Sequence, residues 1–181
     1  MIVFRPMQPE DLELMYRWLN DDPVIREIWT QGEGRTRERI AAKYGPRLAG
    51  TDPTRSYIIL CDGVPIGYTQ WYLWRDYPGY AAHLGLEEVA ASVDLFIGEA
   101  AYRYRGLGGG IIRQLLRDVV FAHPDPVSCV ITPIEGNDIA IRAYEKAGYR
   151  HVRTLYGVPG EPGPVYLMRV GREEVVAADA E

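Results

Sequence analysis

The residues best placed to do chemistry lie in one stretch, Val93 to Ile112. It reads VDLFIGEAAYRYRGLGGGII: an apolar strand, a basic and aromatic loop, a glycine cluster, and the start of an amphipathic helix. The apolar face of that helix is Ile111, Ile112, Leu115, Leu116, Val119 and Val120. A strand, a glycine loop and a helix N-terminus in succession make a phosphate site. The first helical turn has N–H groups without partners inside the helix, and the helix dipole favours negative charge there. Gly106, Gly108, Gly109 and Gly110 permit close backbone approach, and Arg103 and Arg105 add positive charge. A run of glycines also serves as plain turn chemistry, so the loop alone does not define a function. Two nucleotide motifs are excluded. No Lys-Ser or Lys-Thr follows the glycines, and the spacing is not G-x-G-x-x-G with an acidic residue closing the next strand.

The elements that must position this unit follow from the rest of the chain. Ile2 to Arg5 reads as a strand stopped by Pro6, and Gln8-Pro9-Glu10-Asp11 opens a helix with Leu12, Met15, Trp18 and Leu19 on its core face. Asn20-Asp21-Asp22-Pro23 breaks that helix, a short helical piece runs from Val24 to Trp29, and another helix spans Thr36 to about Leu48. Ser56 to Cys61 and Val64 to Tyr72 are strands joined at Asp62-Gly63, a hairpin-turn signal. Arg75 to Ala91 is the least regular segment, a long insert expected to be functional or mobile. After the central unit come a strand at Val127 to Ile131, a helix at Asp138 to Ala147, and closing strands at Tyr149 to Tyr156 and Pro164 to Val170. One α+β domain over residues 1–170 is expected, with an acidic, Ala-rich flexible tail at 171–181.

Composition narrows the function classes. The chain has 181 residues, enough for one domain with a substantial core, and no segment approaches the roughly 18 uninterrupted apolar residues of a membrane helix. Met1 to Pro6 lacks the layout of a signal peptide, so the expected location is cytoplasmic. Cys61 and Cys129 sit in apolar strand-like runs and read as small buried hydrophobes. His83, His123 and His151 are isolated, so no metal is expected. A net charge of −5 argues against nucleic acid as the main partner and suits a cationic one. Neither a membrane nor a nucleic-acid partner is expected, and the chain is read as a monomer or homodimer.

Arg103-Tyr104-Arg105-Gly106-Leu107-Gly108 resembles the Arg/Gln-x-x-Gly-x-Gly/Ala pyrophosphate loop of the GNAT N-acetyltransferases. Asn137 to Tyr149, with Ala140, Tyr144 and Gly148, resembles the family's helix after the fifth strand. The resemblance implies the GNAT acyl-CoA N-acyltransferase fold, a mixed, mostly antiparallel sheet flanked by helices, and acetyl-CoA as cofactor. Within that superfamily the chain is similar to the bacterial aminoglycoside 6′-N-acetyltransferases from about Val3 to Arg169. Tyr16 to Asn20, Tyr57-Ile58, Gly63 to Tyr72, Asp94 and Ala140 to Tyr149 carry the likeness. Where those enzymes usually have an acidic residue just after the fifth strand, this chain has Thr132-Pro133, and Glu135 is the nearby candidate to replace that charge.

The resemblance assigns roles residue by residue. Asp94 is either the base that removes a proton from the amine or a carboxylate that only binds the substrate ammonium. The oxyanion donor falls at the backbone of Phe96 or Ile97. Tyr144 is the candidate acid for the departing thiolate, or an aromatic packed on its helix. The loop Arg103, Tyr104, Arg105, Gly106, Leu107, Gly108 and Gly109 holds the cofactor's diphosphate. Asn137 hydrogen-bonds the pantetheine or a nearby backbone group. A polycationic aminoglycoside calls for carboxylates and aromatic faces, for which Trp29, Trp71, Tyr72, Glu87, Glu88, Asp94 and Glu135 are the candidates, with Asp76, Trp74, Tyr77 and Tyr80 nearby. Other amine acceptors, such as lysine-type siderophore precursors or protein N-termini, remain alternatives, as does an acyl-CoA-binding regulator without turnover.

Overall fold

The computed structural model describes residues 1–176. Its strands form one seven-stranded sheet in the order β1-β2-β3-β4-β5-β7-β6. The chain divides into two compact units, one comprising Met1–Gln70 and Asp94–Arg103, the other Trp71–Val93 and Tyr104 onward.

The first unit contains β1 (Ile2–Pro6), α1 (Asp11–Asp21), α2 (Pro23–Thr30), α3 (Arg37–Leu48) and β2 (Arg55–Cys61). It also holds the start of β3 (Val64–Leu73) and the end of β4 (Ala90–Ile97). β1 and β2 pair antiparallel, Ile2 facing Cys61 and Pro6 facing Tyr57. The Asp62-Gly63 turn has positive φ at both residues, 50° and 81°, the conformation that a tight hairpin matched to strand twist requires. Met15, Trp18 and Leu19 of α1 join Ile25, Ile40, Tyr44, Ile58, Tyr68 and Phe96 in one buried core, so the helical spacing read from the sequence does mark the core face of α1.

The second unit contains α4 (Pro78–Leu84), the start of β4, α5 (Leu107–Leu115), β5 (Ser128–Ile131), α6 (Asp138–Lys146), β6 (Arg150–Leu155), β7 (Val165–Gly171) and α7 (Arg172–Val176). The segment expected to be irregular is partly ordered into a 3₁₀ turn at Trp74–Asp76 and α4, with Pro78 in its first turn and Gly85 at φ 55° ending it. α5 starts at Leu107, a turn earlier than the apolar pattern suggests, so the glycines form its first turn. A π segment, Leu116–Val120, continues it. The C-terminal boundary also shifts. Gly171 closes β7, and Arg172–Val176 is a helix with Val175 fully buried; residues 177–181 of the expected tail lie outside the described residues. Among the described residues no helix is long and apolar enough to cross a membrane.

Candidate active site

α5 is entered through Gly106, held at φ 75°, and no side chain caps its first turn. Tyr104 is also left-handed, at φ 58°. A Cβ placed on Gly106 or Gly110 would meet nothing within 4 Å, so the mouth is open. A Cβ on Gly109 would stand 2.6 Å from Cβ of Lys146 and 3.2 Å from the Ala143 carbonyl, and one on Gly108 would touch Cβ of Ala143. The cluster therefore divides its work: Gly106 supplies the turn, Gly108 and Gly109 let α5 lie against α6, and the first-turn N–H groups stay available to an anion. An uncapped N-terminus beside open space fits a diphosphate. Arg105 and Tyr104 are exposed and Leu107 is half-buried.

Arg103 has a different attachment from the one expected. Its guanidinium donates to both carboxylate oxygens of Asp22, Nη1 to Oδ1 at 3.0 Å and Nη2 to Oδ2, with the two side chains only 12% and 18% exposed. Asp22 is at the same time the N-cap of α2, accepting from the N–H groups of Val24 and Ile25. Arg103 is thus a strut from the loop to α2 rather than a cation pointing freely at a phosphate. The Arg103 hydrogen bond holds the Asp22 carboxyl below its usual 3.8, against the opposing effect of burial. A depressed folded pKa gives stability that is complete above the unfolded value and is lost as pH falls through the folded one. Asp22→Asn is expected to cost about 2 kcal/mol at neutral pH, a gap that narrows below about pH 4. Urea unfolding of both proteins at pH 7 and pH 3 measures it, and a gap independent of pH would remove the ionised pair from the account.

Asp94 is half-buried on β4 in a polar chain that the first unit builds around it. Gln70 Nε2 donates to Asp94 Oδ2 at 2.9 Å. Gln70 Oε1 in turn accepts from Tyr68 Oη at 3.0 Å and from Arg47 Nη1, which fixes the amide so that its NH₂ end faces the carboxylate. Burial pushes the Tyr68 phenol up, so it stays protonated and able to donate. Thr69 Oγ1 donates to the Asp94 backbone carbonyl at 3.0 Å. Tyr68 and Gln70 lie in the stretch that carries the family likeness, but the sequence assigns neither them nor Arg47 a role at the site; two polar residues two apart on an apolar strand are the available signal.

β4 pairs parallel with β5 at Ala90–Ser128 and Ala91–Cys129, and β4 then runs on to Ile97. On its other side Gly67 of β3 lies so close that a Cβ there would be 2.3 Å from the Phe96 carbonyl. The Phe96 ring is core, with centroids 4.8 Å from Trp29, 5.8 Å from Tyr68 and 5.9 Å from Trp18, so only its backbone is a candidate donor. Ile97 is half-buried beside it.

On α6, Tyr144 is half-buried with its ring 5.4 Å from that of Tyr149. Asn137 is the N-cap of α6: its Oδ1 accepts from the N–H of Ala140 at 3.3 Å, which is the backbone partner expected as one of its two options.

The acceptor-side candidates separate on inspection. Trp29 donates from Nε1 to Tyr44 Oη at 3.3 Å and packs edge-on to Tyr68. Trp71 is 2% exposed, with its ring 5.5 Å from His123, so it is a core residue and not a binding wall. Trp74 is likewise buried, bonding the Val130 carbonyl and stacking on Tyr80. Tyr72 lies edge-on between Trp74 and Tyr77. Glu88 is engaged by Arg169 at 2.7 and 3.2 Å and by Ser128, which holds its carboxyl below the usual range and occupies the charge that a ligand would need. Glu135 accepts from Tyr166 Oη at 3.3 Å. Glu87 and Asp76 are exposed. Glu161 is a further carboxylate near Thr132: Tyr80 Oη donates to Glu161 at 2.8 Å and lies 3.1 Å from Thr132 Oγ1. Among the described residues no cluster of His, Cys, Asp or Glu could hold a metal ion.

A mixed sheet flanked by helices, with parallel β4 and β5 and an uncapped helix entered through a glycine turn, is the architecture of an N-acetyltransferase. The acetyltransferase (GNAT) domain family matches residues 8–156, and the chain belongs to that family. It is 28% identical over 169 residues to the aminoglycoside N(6′)-acetyltransferases type 1 of Klebsiella pneumoniae and Serratia marcescens, covering 93% of this chain and 82% of each of theirs. The crystal structure of aminoglycoside acetyltransferase AAC(6′)-Ib with coenzyme A and kanamycin superposes with a TM-score of 0.79 at 26% identity, over 96% of both chains. An uncharacterized protein of Bacillus halodurans, at 21% identity and a TM-score of 0.79, shares the fold.

Proposed function

We propose that this protein transfers the acetyl group of acetyl-CoA to a primary amine by direct attack in a ternary complex, without an acyl-enzyme. The α5 mouth, with Gly106 to Gly109 and Arg105, binds the diphosphate. Asp94, aligned by Gln70, takes the proton of the ammonium. The backbone N–H of Phe96 or Ile97 donates to the developing oxyanion. Tyr144 gives its proton to the departing thiolate and regains one, through solvent, from the nitrogen that becomes the amide, and the amide Nδ2 of Asn137, whose oxygen is already used as a cap, donates to the pantetheine. Acetyl-CoA supplies the activated carbonyl.

For the acceptor, the first reading is the 6′-amine of an aminoglycoside. It is supported by the likeness, over nearly the whole chain, to an enzyme solved with coenzyme A and kanamycin. The test pairs kanamycin with an aminoglycoside that carries a hydroxyl at the 6′ position. Thiol release with the first and none with the second is the expected result; equal release with both, or none with either, contradicts it. A second reading, a lysine-type amine, is favoured by Thr132, which stands where the resembling enzymes carry an acid, and by the engagement of Glu88 with Arg169.

A further inference from the structure

The first unit holds a cavity of about 140 Å³ between α2 and α3 that the acetyl-transfer chemistry leaves unused. Trp29, Tyr44 and Leu19 form its apolar wall, and its charged lining is Arg35, Arg39 and Lys43, with no carboxylate. The carboxylate of Glu33 lies outside the lining, pairs with Arg35 at 2.7 Å and is itself 69% exposed. Among the described residues neither Arg39 nor Lys43 forms an ion pair. These cations crowd one another. The Lys43 ammonium is driven below its ordinary value by burial and by Arg47 and Arg35, and the Asp94 carboxylate acts on it in the opposite direction. Asp94 also acts on the Tyr44 phenol. Geometry links the recess to the proposed base: the Tyr44 ring of its wall is 5.5 Å from that of Tyr68, whose Oη donates to Gln70, the residue that donates to Asp94.

That arrangement suits one kind of acceptor and penalises another. A polycation entering the recess would meet Arg35, Arg39 and Lys43 with no carboxylate in the lining. A molecule carrying both an amine and a carboxylate would relieve the crowding, since guanidinium groups pair well with carboxylates and an apolar wall strengthens the pairing. We propose that Arg35, Arg39 and Lys43 form a carboxylate-binding subsite, and that the preferred acceptor is an aliphatic amine bearing a carboxylate. The proposal rests on the acetyl-transfer reading with Asp94 on the acceptor side, and it sharpens the second acceptor class by naming the residues that select it.

Lysine and cadaverine make the test, because they share the aliphatic amine and differ by the carboxylate. With acetyl-CoA and the full chain, kcat/KM for lysine is expected to exceed that for cadaverine at least about tenfold. The ratio should fall toward one in the double variant Arg39→Gln, Lys43→Gln, which leaves the buried core residues of α3, Ile40 and Tyr44, in place. A wild-type ratio of one or less, a ratio unmoved by the substitutions, or preferred turnover of kanamycin overturns the proposal. Should no amine be consumed, the acetyl-transfer reading fails, and calorimetric titration with Nε-acetyl-lysine still decides the subsite. Binding that is lost in the double variant supports it; no binding, or binding unchanged by the substitutions, ends it.

Discussion

Asp94→Asn is expected to lower kcat/KM for the acceptor by about 10²–10³-fold, the usual contribution of a positioned general base, with acetyl-CoA affinity unchanged. The substitution keeps the size of the side chain and leaves Gln70 Nε2 an oxygen to bond, so the local fold has no reason to collapse. What is removed is the ability to accept a proton. Affinity for acetyl-CoA, read by calorimetry, separates this from misfolding. The pH profile then separates base from ammonium binder: a base leaves a residual rate that rises with pH as free amine replaces ammonium, whereas a lost binding contact raises acceptor KM without reshaping the profile. Unchanged turnover would remove Asp94 from catalysis.

Gly98→Ala is expected to destabilise the fold strongly. Gly98 is buried just after β4, and a Cβ there would stand 2.4–2.6 Å from three atoms of the Trp18 indole, well inside contact distance. Trp18 cannot swing aside cheaply. It is 3% exposed, packs edge-on against Phe96, and donates from Nε1 to Glu99 Oε1 at 2.8 Å, while Arg17 holds the same carboxylate. The methyl therefore forces either the indole or the end of β4 to move, an overpacking cost of about 3 kcal/mol, which for a chain of this size lowers Tm by about 10 °C. Differential scanning calorimetry measures the change. Because β4 carries Asp94 and the candidate oxyanion donor, activity below the new Tm should fall as well. A Tm within a degree of wild type would show that the close packing of Gly98 on Trp18 is not as described.

How far the sequence revealed all this depended on whether a feature was local. Asp62-Gly63 named its hairpin because the turn itself demands two left-handed residues, and α1 showed its core face because Met15, Trp18 and Leu19 repeat at helical spacing. The glycine loop was visible, yet its helix begins a turn earlier than expected. Intrinsic propensity disfavours three glycines in a helix; the close approach of α6, at Ala143 and Lys146, accounts for Gly108 and Gly109, and Gly110 has no neighbour that requires it. α4 is not legible in the sequence although Pro78 and Gly85 bracket it, because its polar and aromatic composition hides the period. The side-chain partnerships were illegible for a different reason. Arg103 with Asp22, and Glu88 with Arg169, join residues far apart in the chain, and no spacing rule connects them. The same holds for Trp71, whose place in the core rather than on a pocket wall is decided by tertiary packing.

The most direct test of the account is mass analysis of a primary amine after incubation with acetyl-CoA and the purified chain, with free thiol followed in parallel. The account predicts an amine heavier by one acetyl group, one thiol released for each, and no acetyl left on the protein. Acetyl-CoA that binds at the α5 mouth and is never consumed, whatever amine is supplied, would contradict it and leave a binding protein in place of an enzyme.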